Sequence, residues 1–419
     1  MKTILLKSPT ILDPDSKFHQ QQADILIRDG KIAAVGAGLQ DDAGQVIDLA
    51  GQFVCPGFVD LNANFGEPGL ETKEDLITGT RAAAAGGFTG VAVMPNTAPP
   101  IHSKAEVAYL VNRSRGFLVN VYPLGALSRD REGKDLAELY DMAQAGAKAF
   151  TDGNHPVADA GLMSRALLYA KGFGGLVISY PEDRSIAGKA KMNEGVMSTR
   201  LGMKGIPALA EELIVSRDLF LAEYQEAPVH FTTISTGGSV SLIREAKARG
   251  IKVTCDVAAH HLALTEEELE GFDSNLKVKP PLRTRADAEA LIAGLKDGTI
   301  DAVVSQHTPH EVEFKQVEFE IAEYGIIGFQ TVLPLLVRAG LEPELIAEKL
   351  AGGPRRVLRL PEGSLQPGMD ADLVVFDPAA EWEFNADTNR SRSANSPLFN
   401  QKLKGRVSFV CNNNQFFIS

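Results

Sequence analysis

Eight short apolar runs, each followed by a stretch of helix formers or a polar loop, recur between residues 53 and 310 of this 419-residue chain. They are FVCPGFVDLN (53–62), FTGVAVMPN (88–96), FLVNVYPLG (117–125), AKAFTD (147–152), GLVISYPED (175–183), PVHFTTIST (228–236), IKVTCDVAAHH (251–261) and DAVVSQHTPH (301–310). A strand covered on only one face alternates apolar and polar residues, whereas near-continuous apolar runs belong to parallel strands buried on both faces. The intervening segments include TKEDLITGTRAAAAGG (72–87), SVSLIREAKARG (239–250) and TRADAEALIAGLKDG (284–298), which read as amphipathic helices. Eight such units predict a TIM-type (β/α)8 barrel, with the active face at the C-terminal ends of its strands.

The chain ends have a different texture. TILLKSPTILDP and ADILIRDGKIAAVG carry short alternating runs, and Asp29-Gly30 sits between two of them as a hairpin turn would. GSLQPGMDADLVVFDP and RVSFVCNNNQFFIS look alike at the far end. Both ends therefore predict one small β-sandwich built from 1–55 plus 361–419, beside a barrel over 56–360. The N-terminal part reads as an antiparallel unit.

Composition removes several function classes. A formal charge of −12 opposes binding to a phosphate backbone, so no nucleic-acid partner is expected. No run approaches the roughly 18 apolar residues of a membrane helix, and the N-terminal apolar run is too short for a secretory signal. Cys55, Cys255 and Cys411 lie far apart and form no CxxC pair, which suits a reducing cytoplasm. The acidic stretches TEEELEGFD and EVEFKQVEFEIAEYG read as solvated faces.

Polar residues gather where the predicted strands end: Asn62, Asn64, Asn96, Asp152, Tyr180, Thr233, His260, His261, Gln306, His307 and His310. Taken as metal donors they are poor, because catalytic zinc needs three or more His or carboxylate ligands. In order along the chain, PGFVDLN…EPG, VAVMPNT, AFTD, EDRSIAGKAKMNEG, TCDVAAHHLALTE, KPPLR, HTPH and GIIGFQT resemble the dihydroorotases, cyclic amidohydrolases of pyrimidine biosynthesis, of the long type with a β domain beside the barrel. The resemblance runs nearly end to end. It implies a metal centre made by His-x-His after strand 1, an Asp or carboxylated Lys on strand 4, a His on each of strands 5 and 6, and an Asp on strand 8.

The chain departs from that pattern. The implied positions carry Asn62 and Asn64, Asp152, Tyr180, Thr233 and Gln306, so only Asp152 keeps a family ligand. Amide and hydroxyl oxygens are weak neutral donors and do not replace imidazole. Without a metal, nothing brings the pKa of water from 15.7 toward about 7. Gln306 cannot take a proton as the family carboxylate does. Gly66 stands where the family's Arg grips a substrate carboxylate, and Lys279 replaces a family Asn. No catalytic residue and no cofactor are therefore expected.

Asn96 and His310 remain at positions that the resemblance assigns to substrate binding; the plainer reading makes them hydrogen-bonded residues of the rim. His307, His310 and His261 form an alternative metal set, which would hold zinc. A Ser179-His261-Asp152 triad can be written down, but no nucleophile elbow accompanies it. The resemblance thus implies a dihydroorotase-like protein without catalysis, a pseudoenzyme acting in a homo- or hetero-oligomer as a structural partner of aspartate carbamoyltransferase. Two alternatives stay open: an active dihydroorotase or related cyclic amidohydrolase with a single-metal or metal-free site, and a small-molecule sensor.

Overall fold

The structure is a computed structural model describing residues 3–40 and 44–419. Eight parallel strands form one sheet in chain order: Phe58–Ala63, Phe88–Val93, Asn120–Gly125, Ala149–Phe150, Val177–Ser179, Val229–Phe231, Val253–Ala258 and Ala302–Val304. The first and eighth strands meet through a parallel bridge between Ala63 and His307. Asp60 fastens the same seam, accepting from the Ser305 amide at 2.9 Å and from its hydroxyl. The result is the expected (β/α)8 barrel, with helices packed outside.

Several of the barrel's helices start where the sequence offers a cap. Asp75, Asp159 and Thr236 cap the helices Leu76–Ala85, Ala160–Gly172 and Gly237–Ala248, and Ser103 and Thr284 form capping boxes ahead of Lys104–Arg113 and Arg285–Lys296. Such caps satisfy amides that the first helical turn leaves without partners.

The chain ends make two sheets. Thr10–Ile11, Phe53–Pro56, Leu373–Phe384, Gln401–Asn412 and Gln415–Ile418 form a five-stranded sheet, and Thr3–Lys7, Asp24–Arg28, Lys31–Gly36 and Gln45–Asp48 a four-stranded one. Ile4, Leu6, Ile25 and Ile27 pack with Val54, Leu373, Val375 and Phe409 to make their common core. The strand from Leu373 shows why both faces are apolar: Leu373 and Val375 point into the sandwich, while Val374 and Phe376 join the barrel's core. Asp29 (φ 52°) and Gly30 (φ 74°) make the two-residue hairpin turn, both in the left-handed region such turns require. The N-terminal sheet is mixed rather than antiparallel throughout, because Thr3–Lys7 pairs parallel with Gln45–Asp48.

The two acidic stretches expose most of their carboxylates, as expected of solvated faces, while a few of their residues turn inward. Glu266 opens a 3-10 turn but is buried, accepting from Asn193 Nδ2 at 2.7 Å. Within 311–325, Phe319 and Lys315 are buried, and Lys315 Nζ donates to the carbonyls of Glu323 and Gly325. Burial holds the Lys315 ammonium down to about 7. This segment therefore packs inward beside the barrel mouth.

Candidate functional site

The C-terminal ends of the strands enclose a cavity of about 360 Å3. Asn62, Asn64, Asn96, Tyr180, Gln306 and His310 all lie on its wall. Asn62 Nδ2 donates to Thr232 Oγ1 at 3.1 Å. Asn64 Nδ2 donates to Thr308 Oγ1 at 3.0 Å, and Asn64 Oδ1 accepts from Asn96 Nδ2. Gln306, left-handed at φ 47°, donates from Nε2 to the Lys279 carbonyl at 2.9 Å. These amides thus bind the rim to itself, an arrangement open to groups that both donate and accept.

Tyr180 is buried and its hydroxyl has no partner. Desolvation, with Glu182 nearby, raises its pKa well above the ordinary value, so it stays a neutral phenol. Glu182 is buried, with Lys279 Nζ 2.9 Å from its Oε1; the approach is that of an ion pair, at an angle outside hydrogen-bond geometry. His310 donates from Nε2 to the Tyr324 carbonyl at 3.0 Å, and burial holds its ring at about 4. It is therefore a neutral imidazole near pH 7.

Gly66 is tied by its shape. Its amide donates to the Glu74 carbonyl at 2.8 Å, and its carbonyl accepts from Leu70 at 2.7 Å. A Cβ there would stand 1.9 Å from the Leu70 oxygen. The loop closes over the space that a longer side chain would need.

Other residues named from the sequence lie elsewhere. Thr233 does not face the cavity; its left-handed φ of 53° breaks the strand alternation, its amide donates to Asp256 Oδ1 at 2.6 Å, and Thr232 takes the place on the wall. Asp152 also stands off the wall, with both oxygens engaged by Ser128, the amide at 2.8 Å and the hydroxyl at 2.5 Å. Burial raises its pKa, against those two bonds and Arg131. The alternative metal set of His307, His310 and His261 does not assemble: His307 Nε2 lies 3.4 Å from Glu74 and His261 Nε2 donates to the Pro280 carbonyl at 3.1 Å, away from His310. The written triad fails too, since Ser179 donates to Asp218 at 2.7 Å.

The divalent centre implied by the family does not fit these residues. Among the described residues no three His, Cys, Asp or Glu side chains come together to hold a metal ion. The cavity is faced mainly by amides, hydroxyls and cationic groups, which are poor partners for a zinc-like ion, and its His155, His310 and Glu323 do not come together as one donor set.

Reasoning from strand ends missed the wall's charge. Arg131, Arg184, Lys73 and Lys279 all line the cavity. The available signal was position: Arg131 and Arg184 follow the third and fifth strands, on the loops that build a barrel's functional face.

Comparison with known proteins places this geometry. The chain superposes on L-hydantoinase (dihydropyrimidinase) from Arthrobacter aurescens with a TM-score of 0.85 and 24% identity, over 99% of this chain and 96% of that one. The barrel with its flanking β domain thus has the fold of that protein. The profile described as dihydro-orotase-like matches residues 51–239. A dihydroorotase of Geobacter sp. (strain M21) is 46% identical over 97% of both chains, and one of Pelotomaculum thermopropionicum is 45% identical over 96% of this chain and 95% of its own. The chain belongs to the dihydroorotase family of pyrimidine biosynthesis.

Proposed function

We propose that this dihydroorotase-family chain does not hydrolyse dihydroorotate and serves pyrimidine biosynthesis in the cytoplasm as a structural partner of aspartate carbamoyltransferase, within a homo- or hetero-oligomer. The supporting observation is the donor set. Asn62, Asn64, Tyr180 and Gln306 face the cavity where ring nitrogens and carboxylates would be needed, and Asp152 is engaged by Ser128. A metal-bound hydroxide has no platform on such donors, and the amide of Gln306 cannot take a proton as a carboxylate at that position would. The partner reading follows from family resemblance, since a barrel keeps its stability when its site changes.

The test joins two measurements. Purified protein should carry no stoichiometric zinc and should not turn over dihydroorotate, and sedimentation with the same organism's aspartate carbamoyltransferase should show a complex at micromolar concentration. Metal-dependent turnover would establish the alternative, an active dihydroorotase with an atypical single-metal site; chelator-resistant turnover would establish a metal-free one. The open cavity with Asn96 and His310 on its wall favours ligand binding as a second reading.

A further inference from the structure

The cavity wall carries Lys73, Arg131, Arg184 and Lys279, against Glu323 on the wall and Glu182 behind Lys279. Asp152, held by Ser128, offsets part of the Arg131 charge and Glu311 part of the Lys73 charge from farther off. We propose that this mouth is a binding site for a small phosphoryl dianion, held by Arg131 and Arg184 with Lys279 and Lys73 beside them. The assignment goes beyond the structural-partner reading and does not depend on it.

The two guanidinium groups are held in place together. Arg131 donates from Nε to the Asp152 carbonyl at 3.0 Å and from Nη2 to Asn154 Oδ1 at 2.7 Å; Arg184 Nη2 donates to the Asn154 carbonyl at 3.3 Å. These bonds leave Nη1 of Arg131, and Nε and Nη1 of Arg184, free of hydrogen-bond acceptors among the described residues. Asp130 and Arg131 both sit at positive φ, 53° and 59°, an unfavourable backbone for residues with a side chain. Such strain persists where the surroundings impose it and is concentrated at ligand clamps. The cations converge: after burial, the groups that most depress the basicity of His155 on the same wall are Arg131, Arg184 and Lys279, opposed by a bond to the Arg131 carbonyl.

The count favours phosphate over carboxylate. A carboxylate has one charge and two oxygens, matched by a single guanidinium fork, whereas a terminal phosphoryl group presents three oxygens and two charges. The neutral Tyr180 hydroxyl on the same wall is a further donor without a partner.

Isothermal titration tests this on the whole chain kept in a chelator, with inorganic phosphate and, in parallel, succinate at matched ionic strength. Saturable phosphate binding in the millimolar range or tighter is expected, with a matching rise in Tm and weaker succinate binding. Arg184→Gln, an exposed side chain with one backbone bond, should weaken phosphate by about tenfold or more, and Lys73→Gln by less. Absence of saturable phosphate binding, unchanged affinity in both variants, or tighter succinate than phosphate would overturn the assignment. Zinc content and dihydroorotate turnover, read before the chelator is added, fail or hold separately.

Discussion

The barrel's interior and its mouth treat their polar groups differently. Inside, each fully buried carboxylate has its partners. Asp256 accepts from His230 Nε2 at 2.9 Å and from the Thr233 amide, Asp218 from Ser179, and Glu211 from Ser235 and from Ser239 at 2.7 Å. Asp60 accepts from Ser305, although burial still pushes its carboxyl up to about 7. At the mouth, the Tyr180 hydroxyl, Asn96 Oδ1 and His310 Nδ1 are buried with no partner. A buried polar group without a partner costs stability; away from the cavity wall Thr233 Oγ1, His260 Nε2 and His261 Nδ1 also lack one, so what sets the interior apart is the pairing of its carboxylates. The interior fixes register and closure; the mouth is free to change its chemistry.

The contrast can be broken most severely from the interior. Asp256→Ala strands the His230 ring and the Thr233 amide in a dry core and should cost about 3–5 kcal/mol in denaturant unfolding. Acid gives the next effect. Burial holds His261 and His310 at about 4, while the unfolded chain titrates near 6.5, so between those values the unfolded state binds more protons. Stability should therefore fall as pH drops from about 6.5 toward about 4, by on the order of a few kcal/mol, and His310→Asn should flatten part of that slope.

Gly66→Arg sharpens the comparison at the mouth. Its Cβ meets the Leu70 carbonyl, so the variant should lose about 1–3 kcal/mol and gain no dihydroorotate affinity by calorimetry. The smallest effect belongs to Tyr180→Phe. Removing a hydroxyl that has no partner should leave stability within about 1 kcal/mol of the parent or raise it, whereas a loss above about 2 kcal/mol would place Tyr180 among the structural groups.

Much of the fold was legible because its signals are local and repeated. The runs at 88–96 and 251–261 contain the strands Phe88–Val93 and Val253–Ala258, and Asp75 and Ser103 mark helix starts by their own chemistry. The mixed pairing of Thr3–Lys7 was not legible, since a strand's apolar pattern does not state the direction of its neighbour. At the site, the residue types at Asn62, Asn64, Tyr180 and Gln306 could be read from order along the chain. The wall position at strand six could not, because one left-handed residue, Thr233, shifts which threonine faces the cavity.

By itself the sequence determined the eightfold βα rhythm, the joining of the two chain ends and the amides at Asn62, Asn64 and Gln306, because each depends on residue type and spacing. Only the tertiary structure decided that Ser128 takes both oxygens of Asp152, that the histidines stand apart, and that Arg131 and Arg184 meet over Asn154. Those contacts join loops distant in the chain, and the distance between side chains is set by packing, which no local pattern encodes.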